Sequence, residues 1–219
     1  NAEVIERNMH FFKSKVRSKS IPKALSCKFN FYPPAIIVID NFLPNPDEVR
    51  AFALEQEFTV TGNYPGRRTK SFATLDHKEA FERILGKPIT YWPKQYNGSF
   101  QYTFGYHRSW IHRDETDYSA IIYLTPNAPA DGGTLTYRHK TLQIERDSEA
   151  KSKEEIDQMN KDSRDEDKWE QMYVIANKYN RRIIFTGRRS HRSNKYFGST
   201  RESGRLFQTF FFNVEGALR

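Results

Sequence analysis

The sequence predicts a mainly β domain with flanking helices, built as a double-stranded β-helix, a jelly-roll and cupin-like architecture. Three observations favour this fold class. Short runs of alternating or β-branched residues recur through the later two thirds of the chain, turn signals separate them, and the helical patterns gather near the amino end. With 219 residues the chain can bury a sizeable core, so we expect a single domain over residues 1–219.

The composition indicates a core rich in aromatic side chains. Hydrophobic residues make up only 37% of the chain, but Phe, Trp and Tyr contribute 15% of all residues. The formal net charge of +8 permits an anionic partner without requiring one. The single cysteine, Cys27, cannot form an internal disulfide, no apolar run has membrane-spanning length, and no signal segment opens the chain. We therefore expect a cytoplasmic protein without a membrane partner.

Residues 1–90 are expected to form a region of helices and strand that supports the barrel. Residues 1–26 are basic, and their apolar residues recur at nearly helical spacing, which predicts a short surface helix. An arm that binds nucleic acid is the alternative for this charge run. Residues 35–40 form a continuous β-branched run, which is typical of a buried strand.

Two further helices are predicted in this region. Asn45 is a suitable cap, Pro46 fits the first helical position and acidic residues follow, so a helix is expected through about Gln56. A short amphipathic helix is expected over residues 77–85, and Gly86 ends it.

A turn-rich loop over residues 61–68 separates these two helices. Arg67 or Arg68 could contact a substrate from this loop. A solvated side chain is the expected state of both arginines.

Residues 91–214 are expected to form the double-stranded β-helix itself. Alternating or continuous apolar runs predict strands over residues 100–104, 118–124, 134–137, 181–185 and 205–214. In residues 118–124, Ser119, Ile121 and Tyr123 share one face. The loop before residues 134–137 has hairpin chemistry, so this strand is expected to return beside the preceding one.

A charged segment, residues 145–172, interrupts the strand pattern as an insertion. It is dense in charges of both signs and poor in apolar residues, which predicts a solvated helix or a mobile loop. A lid that closes over a substrate is the alternative.

His112 and Asp114 are the strongest candidates for a functional site. Side chains two residues apart on an extended strand point to the same face, so an imidazole and a carboxylate can meet at one point. His191 can supply a third ligand. Two His and one carboxylate with open positions suit non-haem Fe(II) and O2 chemistry, although they would also hold Mn, Co or Ni. The rival ligands are His107, expected on the opposite side of a continuous strand, and His139.

Arg205 begins the predicted strand over residues 205–214. A buried arginine needs an anion to compensate its charge, and the guanidinium can clamp a carboxylate with two parallel hydrogen bonds. Arg201 is the alternative, but its neighbours are typical of a loop.

The order of these features resembles the 2-oxoglutarate-dependent Fe(II) oxygenases, especially the prolyl-4-hydroxylase-like branch. The resemblance covers roughly residues 101–214. It depends on several motifs in order: Tyr102, His112-x-Asp114, Ile122-Tyr123-Leu124, Gly132-Gly133-Thr134-Leu135, His191 and Arg205. The earlier part, with residues 38–44 and 63–67, is similar to a little-characterised bacterial and phage group of these enzymes.

The resemblance implies a dioxygenase that uses Fe(II), 2-oxoglutarate and O2 to hydroxylate a C–H bond, with release of succinate and CO2. The implied metal ligands are His112, Asp114 and His191. The implied cosubstrate residues are Arg205, at the distal carboxylate, with Tyr102, Tyr123 and Leu135. For each tyrosine, a core aromatic with a satisfied hydroxyl is the alternative.

The resemblance favours a peptidyl, prolyl-like substrate or a small molecule. Basic residues around His191, with aromatic residues nearby, leave a nucleic-acid or nucleotide oxygenase or demethylase as the alternative. A non-catalytic jelly-roll binding module is the alternative from another class, since fold does not fix function. The candidate substrate contacts are Tyr106, Trp110, Arg113, His139 and Arg189.

Overall fold

The computed structural model describes residues 36–217, which form two antiparallel sheets, with two helices against one sheet and one helix against the other. The predicted helix over residues 1–26, and with it the alternative of a nucleic-acid arm, lies outside this range. No helix within residues 36–217 combines the length and apolar character needed to cross a bilayer.

The helices are α1 (Pro46–Glu55), α2 (Leu75–Leu85) and α3 (Lys153–Lys161). The strands are β1 (Ile36–Ile39), β2 (Arg67–Arg68), β3 (Ile89–Tyr91), β4 (Ser99–Thr103), β5 (Tyr118–Tyr123), β6 (Thr134–His139), β7 (Trp169–Ile175), β8 (Arg182–Thr186), β9 (His191–Ser193) and β10 (Arg205–Val214). Short 3-10 helices cover Ala130–Gly132, Asp147–Glu149 and Glu166–Lys168.

The major sheet has the strand order β1-β8-β5-β10-β4-β2, and β3 pairs with the far end of β10. The minor sheet has the order β7-β6-β9. In the major sheet β10 is central: Phe207 lies opposite Tyr123 of β5, and Leu206 lies opposite Tyr102 of β4. All of these pairs are antiparallel, as expected for a jelly roll.

Successive side chains of the central strands point alternately into the main core and into a cavity on the opposite face of the sheet. Ala120, Ile122 and Leu124 of the β5 segment pack into the main core. Ser119 and Ile121 line a cavity on the opposite face, so the predicted division of this strand is confirmed. The main core also contains residues of β10 and the helices: Leu206, Phe210, Phe212, Val49, Ala53 and Phe81.

The helices begin and end where local chemistry directs them. α1 begins at Pro46, as predicted. α2 begins at Leu75 rather than at residue 77, because Thr74 and His77 form a capping box. The Thr74 hydroxyl accepts a hydrogen bond from the His77 backbone N–H, and Nδ1 of His77 accepts one from the Thr74 N–H. Gly86, with φ of 65°, ends α2 in the left-handed conformation.

The predicted hairpin before β6 is wrong. β6 does not pair with β5; it crosses to the minor sheet and pairs with β7 and β9. The 3-10 helix Ala130–Gly132 and then Gly133 carry the chain across, and a side chain at Gly133 would collide with the carbonyl of Ile175. Hairpin chemistry is local, whereas the choice of sheet depends on distant strands.

The charged insertion is shorter than predicted and is packed against the minor sheet. It ends at Lys168, because Trp169–Ile175 is the full strand β7. The α3 helix is mostly exposed, but its Met159 is fully buried in a second core with Ile111 and Trp169. The cavities described below are lined by residues outside this insertion. The insertion therefore contains a helix that is exposed on its outer side and packed on the minor sheet through Met159, and the lid alternative stays a prediction.

Candidate metal centre and cavity

His112, Asp114 and His191 meet between the two sheets. The backbones of His112 and His191 exchange two hydrogen bonds, of 2.9 and 2.8 Å, and the Asp114 N–H donates to the carbonyl of Gly187 at 2.8 Å. This pairing extends the minor sheet beyond β9. Nε2 of His112 lies 3.8 Å from Oδ1 of Asp114, and Nε2 of His191 lies 3.4 Å from Oδ2. One ligand atom from each residue lies within 4.8 Å of the others.

Both imidazoles are oriented by backbone carbonyls. Nδ1 of His112 lies 3.1 Å from the carbonyl of Trp110, and Nδ1 of His191 lies 2.7 Å from the carbonyl of Arg189. Because a carbonyl only accepts, these contacts assign the ring proton to Nδ1 and leave the lone pair of Nε2 free. The free lone pairs belong to the two nitrogens that lie beside the Asp114 carboxylate.

The electrostatics favour the protonation states that a metal requires. Burial raises the pKa of Asp114, but the two imidazoles and the hydroxyl of Ser119 outweigh it and leave the pKa below its usual value. Desolvation, followed by the neighbouring His191, lowers the pKa of His112 to about 4. A carboxylate and a neutral imidazole are therefore the forms at neutral pH, and these are the forms that bind metal.

The donor set fits a divalent metal. Two imidazole nitrogens and one carboxylate oxygen would hold the ion, and all three residues line the inner cavity. This arrangement suits Fe(II), Mn, Co or Ni, whereas zinc prefers four-coordination and is redox-inert.

Two adjacent spaces share His112 and Asp114 in their walls. An inner cavity lies between the sheets, and a wider outer groove opens beside Asp114. The inner cavity is lined by Gln101 and Thr103 of β4, Ser119 and Ile121 of β5, Thr134 of β6, and Phe207 and Thr209 of β10. The outer groove is lined by Tyr64, Tyr96, Trp110, Arg113 and Phe211, among others. Arg68 lines both spaces.

Arg205 is fully buried beyond the cavity wall that Phe207 forms. Its Nε donates to the carbonyl of Gly132 at 2.8 Å, and its guanidinium lies 4.4 Å from the ring centroid of Phe207 and 5.3 Å from that of Tyr123. Within the described residues, Nη1 has no hydrogen-bond partner. A buried cation with an unsatisfied donor fits an anionic ligand. Tyr123 lies beside it, with its hydroxyl 2.8 Å from that of Thr134.

Arg201, the alternative to Arg205, lies outside the cavity. It is exposed, and its guanidinium is 5.2 Å from the ring centroid of Phe58 and 5.7 Å from that of Tyr102. Of these two arginines, Arg205 is therefore the one that is buried near the cavity.

Tyr102 and Leu135, expected at the cosubstrate, lie on the wrong faces of their strands. Gln101 and Thr103 face the cavity, so Tyr102 points to the opposite side, where it packs against Phe58 at a centroid distance of 4.9 Å. Similarly, Thr134 lines the cavity, and Leu135 packs into the second core. These two expectations are corrected by the alternation of β4 and β6.

Three of the five candidate substrate residues lie away from the two spaces. Tyr106 is exposed and stacks on His107 with a centroid distance of 4.4 Å. His139 is buried against α3, where its Nε2 lies 3.1 Å from Oδ2 of Asp162. Arg189 forms an ion pair with Glu145. Strand position alone did not predict these local partners.

Trp110 and Arg113 do line the outer groove. Arg113 also donates to Oδ1 of Asn160 at 2.7 Å, which connects the His112–Asp114 segment to α3. Arg68, expected to be solvated, is instead 8% exposed and belongs to β2. A strand of two residues gives too little alternation to reveal this burial in the sequence.

No protein-family model and no curated protein matches the chain. Among solved structures, the chain is similar to a prolyl hydroxylase from Trichoplax adhaerens in complex with a hypoxia inducible factor oxygen degradation domain peptide fragment. The TM-score is 0.50 and the identity 14%, over 95% of this chain and 91% of that chain. HygX from Streptomyces hygroscopicus, with nickel and 2-oxoglutarate bound, has a TM-score of 0.48 and 13% identity, over 85% and 86% of the two chains. A Pseudomonas putida prolyl-4-hydroxylase has a TM-score of 0.38 and 13% identity, over 82% and 88%.

The similarity to the Trichoplax structure concerns the fold, because only 14% of the residues are identical. It covers 95% of this chain. Together with the antiparallel strand order, it confirms the predicted jelly-roll, or double-stranded β-helix, architecture.

Proposed function

We propose that the protein is an Fe(II)- and 2-oxoglutarate-dependent dioxygenase that hydroxylates a C–H bond. The observation that carries this proposal is the convergence of two free Nε2 atoms and one ionised carboxylate between the sheets. When bound, Fe(II), 2-oxoglutarate and O2 supply the oxidation, in which one oxygen atom enters the substrate and the other enters succinate as CO2 leaves.

In this proposal His112, Asp114 and His191 hold the metal. The carbonyls of Trp110 and Arg189 keep each Nε2 directed at the ion, because they bind the opposite ring nitrogen. The Ser119 hydroxyl fixes the carboxylate of Asp114.

Arg205 binds the distal carboxylate of 2-oxoglutarate, and Tyr123 contributes its hydroxyl beside the guanidinium. The hydrogen bond from Nε to Gly132 orients Arg205 before the ligand arrives, and the unsatisfied Nη1 is the free donor. Phe207 lines the cavity and its ring centroid lies 4.4 Å from the guanidinium, so in this proposal the ring moves aside to admit the carboxylate.

We infer that the substrate is a peptide, prolyl-like at the oxidised residue, or a small molecule. A peptide is the ligand of the Trichoplax structure, and the outer groove of this chain is open beside Asp114. The cytoplasmic location and the likeness to a bacterial or phage group stay predictions.

The basic cluster around His191 gives little support to a nucleic-acid substrate. Five of its side chains form ion pairs, which lower the positive potential that attracts phosphates, whereas the exposed Arg201 forms none within residues 36–217. The pairs are Arg181–Asp40, Arg188–Asp147, Arg189–Glu145, Arg192–Glu166 and Lys195–Asp131. Arg182 is buried in the core.

The test is an anaerobic titration of the protein with Fe(II) and 2-oxoglutarate, followed by O2 and an assay for succinate. We expect a weak visible charge-transfer band and slow succinate formation. The variants His112→Ala and Asp114→Ala should lose both signals, while His107→Ala, a nearby histidine outside the cavity, should keep them. A folded protein that binds Fe(II) but shows no band with 2-oxoglutarate would contradict the proposal and favour a binding module.

A further inference from the structure

Arg68 is a buried cation in the wall that the inner cavity and the outer groove share. Its Nε donates a hydrogen bond to Oε1 of Gln101 at 2.7 Å. Within residues 36–217, no carboxylate forms an ion pair with Arg68, and its Nη groups make no hydrogen bond. The side chain therefore has free donors beside the metal centre.

The guanidinium is held in place by aromatic rings and by one fixed amide. It lies 3.8 Å from the ring centroid of Tyr64, 5.0 Å from that of Tyr96 and 5.5 Å from that of Phe211. The amide of Gln101 is itself fixed, because its Nε2 donates to the carbonyl of Pro65 at 2.7 Å. A rigid guanidinium loses little conformational entropy when it binds a ligand.

The charge of Arg68 is retained at neutral pH. Burial lowers its pKa to about 10, while the nearby Tyr64 and Asp114 oppose that change. Asp114 already interacts with His112, His191 and Ser119. A charge that is buried without a paired anion is unfavourable, so the site is electrostatically suited to an incoming anion.

We propose that Arg68 is an anion subsite that binds a carboxylate of the molecule occupying the outer groove. This inference rests on the proposed function and adds to it a substrate class: a molecule that carries a carboxylate near the carbon to be oxidised. A planar carboxylate matches the two Nη groups of one guanidinium. A doubly charged phosphate is less suitable, because Asp114 and Glu115 also line this groove and repel it.

The distal carboxylate of 2-oxoglutarate is the other possible source of the anion. Arg205 has the deeper position and its own free donor, whereas Arg68 is shared with the outer groove. We therefore assign the carboxylate at Arg68 to the primary substrate, and the experiment separates the two sources.

The experiment uses the protein loaded with Mn(II) and saturating 2-oxoglutarate, with benzoate as the probe. Bound Mn(II) broadens the proton resonances of a ligand held close to it, so proton NMR reports binding beside the metal. We expect broadening of benzoate, and much less of neutral benzamide. Arg68→Gln should weaken benzoate binding at least tenfold, and Arg68→Lys should weaken it less. Arg67→Gln, the exposed neighbour, is the matched control and should bind as the wild type does.

Each outcome decides between the assignments. Equal benzoate broadening in wild type and Arg68→Gln, or none in wild type, overturns the subsite. Weaker binding of 2-oxoglutarate in Arg68→Gln, with benzoate unchanged, assigns Arg68 to the cosubstrate and overturns the substrate class. Water-proton relaxation that shows no Mn(II) binding to the wild type contradicts the proposed function instead. Thermal melting checks that each variant is folded. If Arg68→Gln is unfolded, benzoate binding by the charged Arg68→Lys variant decides whether Arg68 forms the subsite.

Discussion

The hydroxyl of Ser119 donates a hydrogen bond to Oδ2 of Asp114 at 2.5 Å. The same oxygen lies 3.4 Å from Nε2 of His191, so one contact fixes the carboxylate beside an imidazole. β5 supplies the serine and the segment before β5 supplies the acid. If Asp114 binds the metal as proposed, this hydrogen bond orients it, so its removal is expected to affect the affinity for the metal rather than the fold.

Ser119→Ala should reduce the affinity for a divalent metal by roughly tenfold or more, as for other residues that orient metal ligands. An Mn(II) titration followed by electron paramagnetic resonance measures the free ion. Ser199→Ala, in an exposed turn, is the matched control and should bind Mn(II) as the wild type does. Unchanged affinity in Ser119→Ala would mean that Asp114 does not need this hydrogen bond, or does not bind the metal.

Arg205→Ala should raise the concentration of 2-oxoglutarate that half-saturates the charge-transfer band, by about tenfold or more. The physical reason is the loss of a charge-assisted hydrogen bond, which contributes about 1.5–3 kcal/mol. Arg201→Ala is the matched control, because Arg201 is exposed outside the cavity. If Arg201→Ala raised the half-saturating concentration of 2-oxoglutarate and Arg205→Ala did not, Arg205 would not be the residue that binds the distal carboxylate.

Local patterns predicted the residues that form the candidate centre. A spacing of two residues places the side chains of His112 and Asp114 on one face of an extended segment. The backbone hydrogen bonds between His112 and His191 keep that segment extended. The faces of β5 were also predictable, since the period of two along an extended strand places Ala120, Ile122 and Leu124 together on one apolar face. His191 required more than spacing, because its proximity arises from the pairing of distant strands.

The errors arose where a one-residue shift changes the face of a strand. Motif order predicts Tyr102 and Leu135 at the cavity, but it locates only the strand and does not state which side chains point inwards. In the structure Gln101, Thr103 and Thr134 have the inward positions. Both faces of β4 and β6 carry residues that can be buried. Periodicity therefore cannot tell which face of each strand points into the cavity.

His77 should make the folded state less stable in mild acid. Burial, and then the nearby Arg182, lowers its pKa to about 3, whereas the unfolded chain has a value of about 6.5. Since only the unfolded state binds the proton between these values, the free energy of unfolding falls as the pH decreases below about 6.5. Between pH 7 and pH 5 this linkage contributes a loss of about 2 kcal/mol.

His77→Gln, which keeps an acceptor in the capping box, should remove most of this loss. Urea unfolding at pH 7 and pH 5 measures the difference. Thr74→Ala is the control: it should cost about 1 kcal/mol at both pH values and leave the pH dependence in place. The same loss in wild type and His77→Gln would show that His77 is not the responsible group.

Met159 distinguishes a packed insertion from a mobile one. It is fully buried in α3, next to the segment that carries His112: the carbonyl of Ser163 accepts from the N–H of Ile111 at 2.8 Å. Met159→Ala should therefore lower the free energy of unfolding by about 2–4 kcal/mol, through lost burial and the cavity left behind. Met172→Ala, a partly buried methionine of β7, should cost less than about 1 kcal/mol. If urea unfolding gave Met159→Ala the stability of the wild type, α3 would not be packed on the minor sheet, and a lid that moves over the groove would again be the better description.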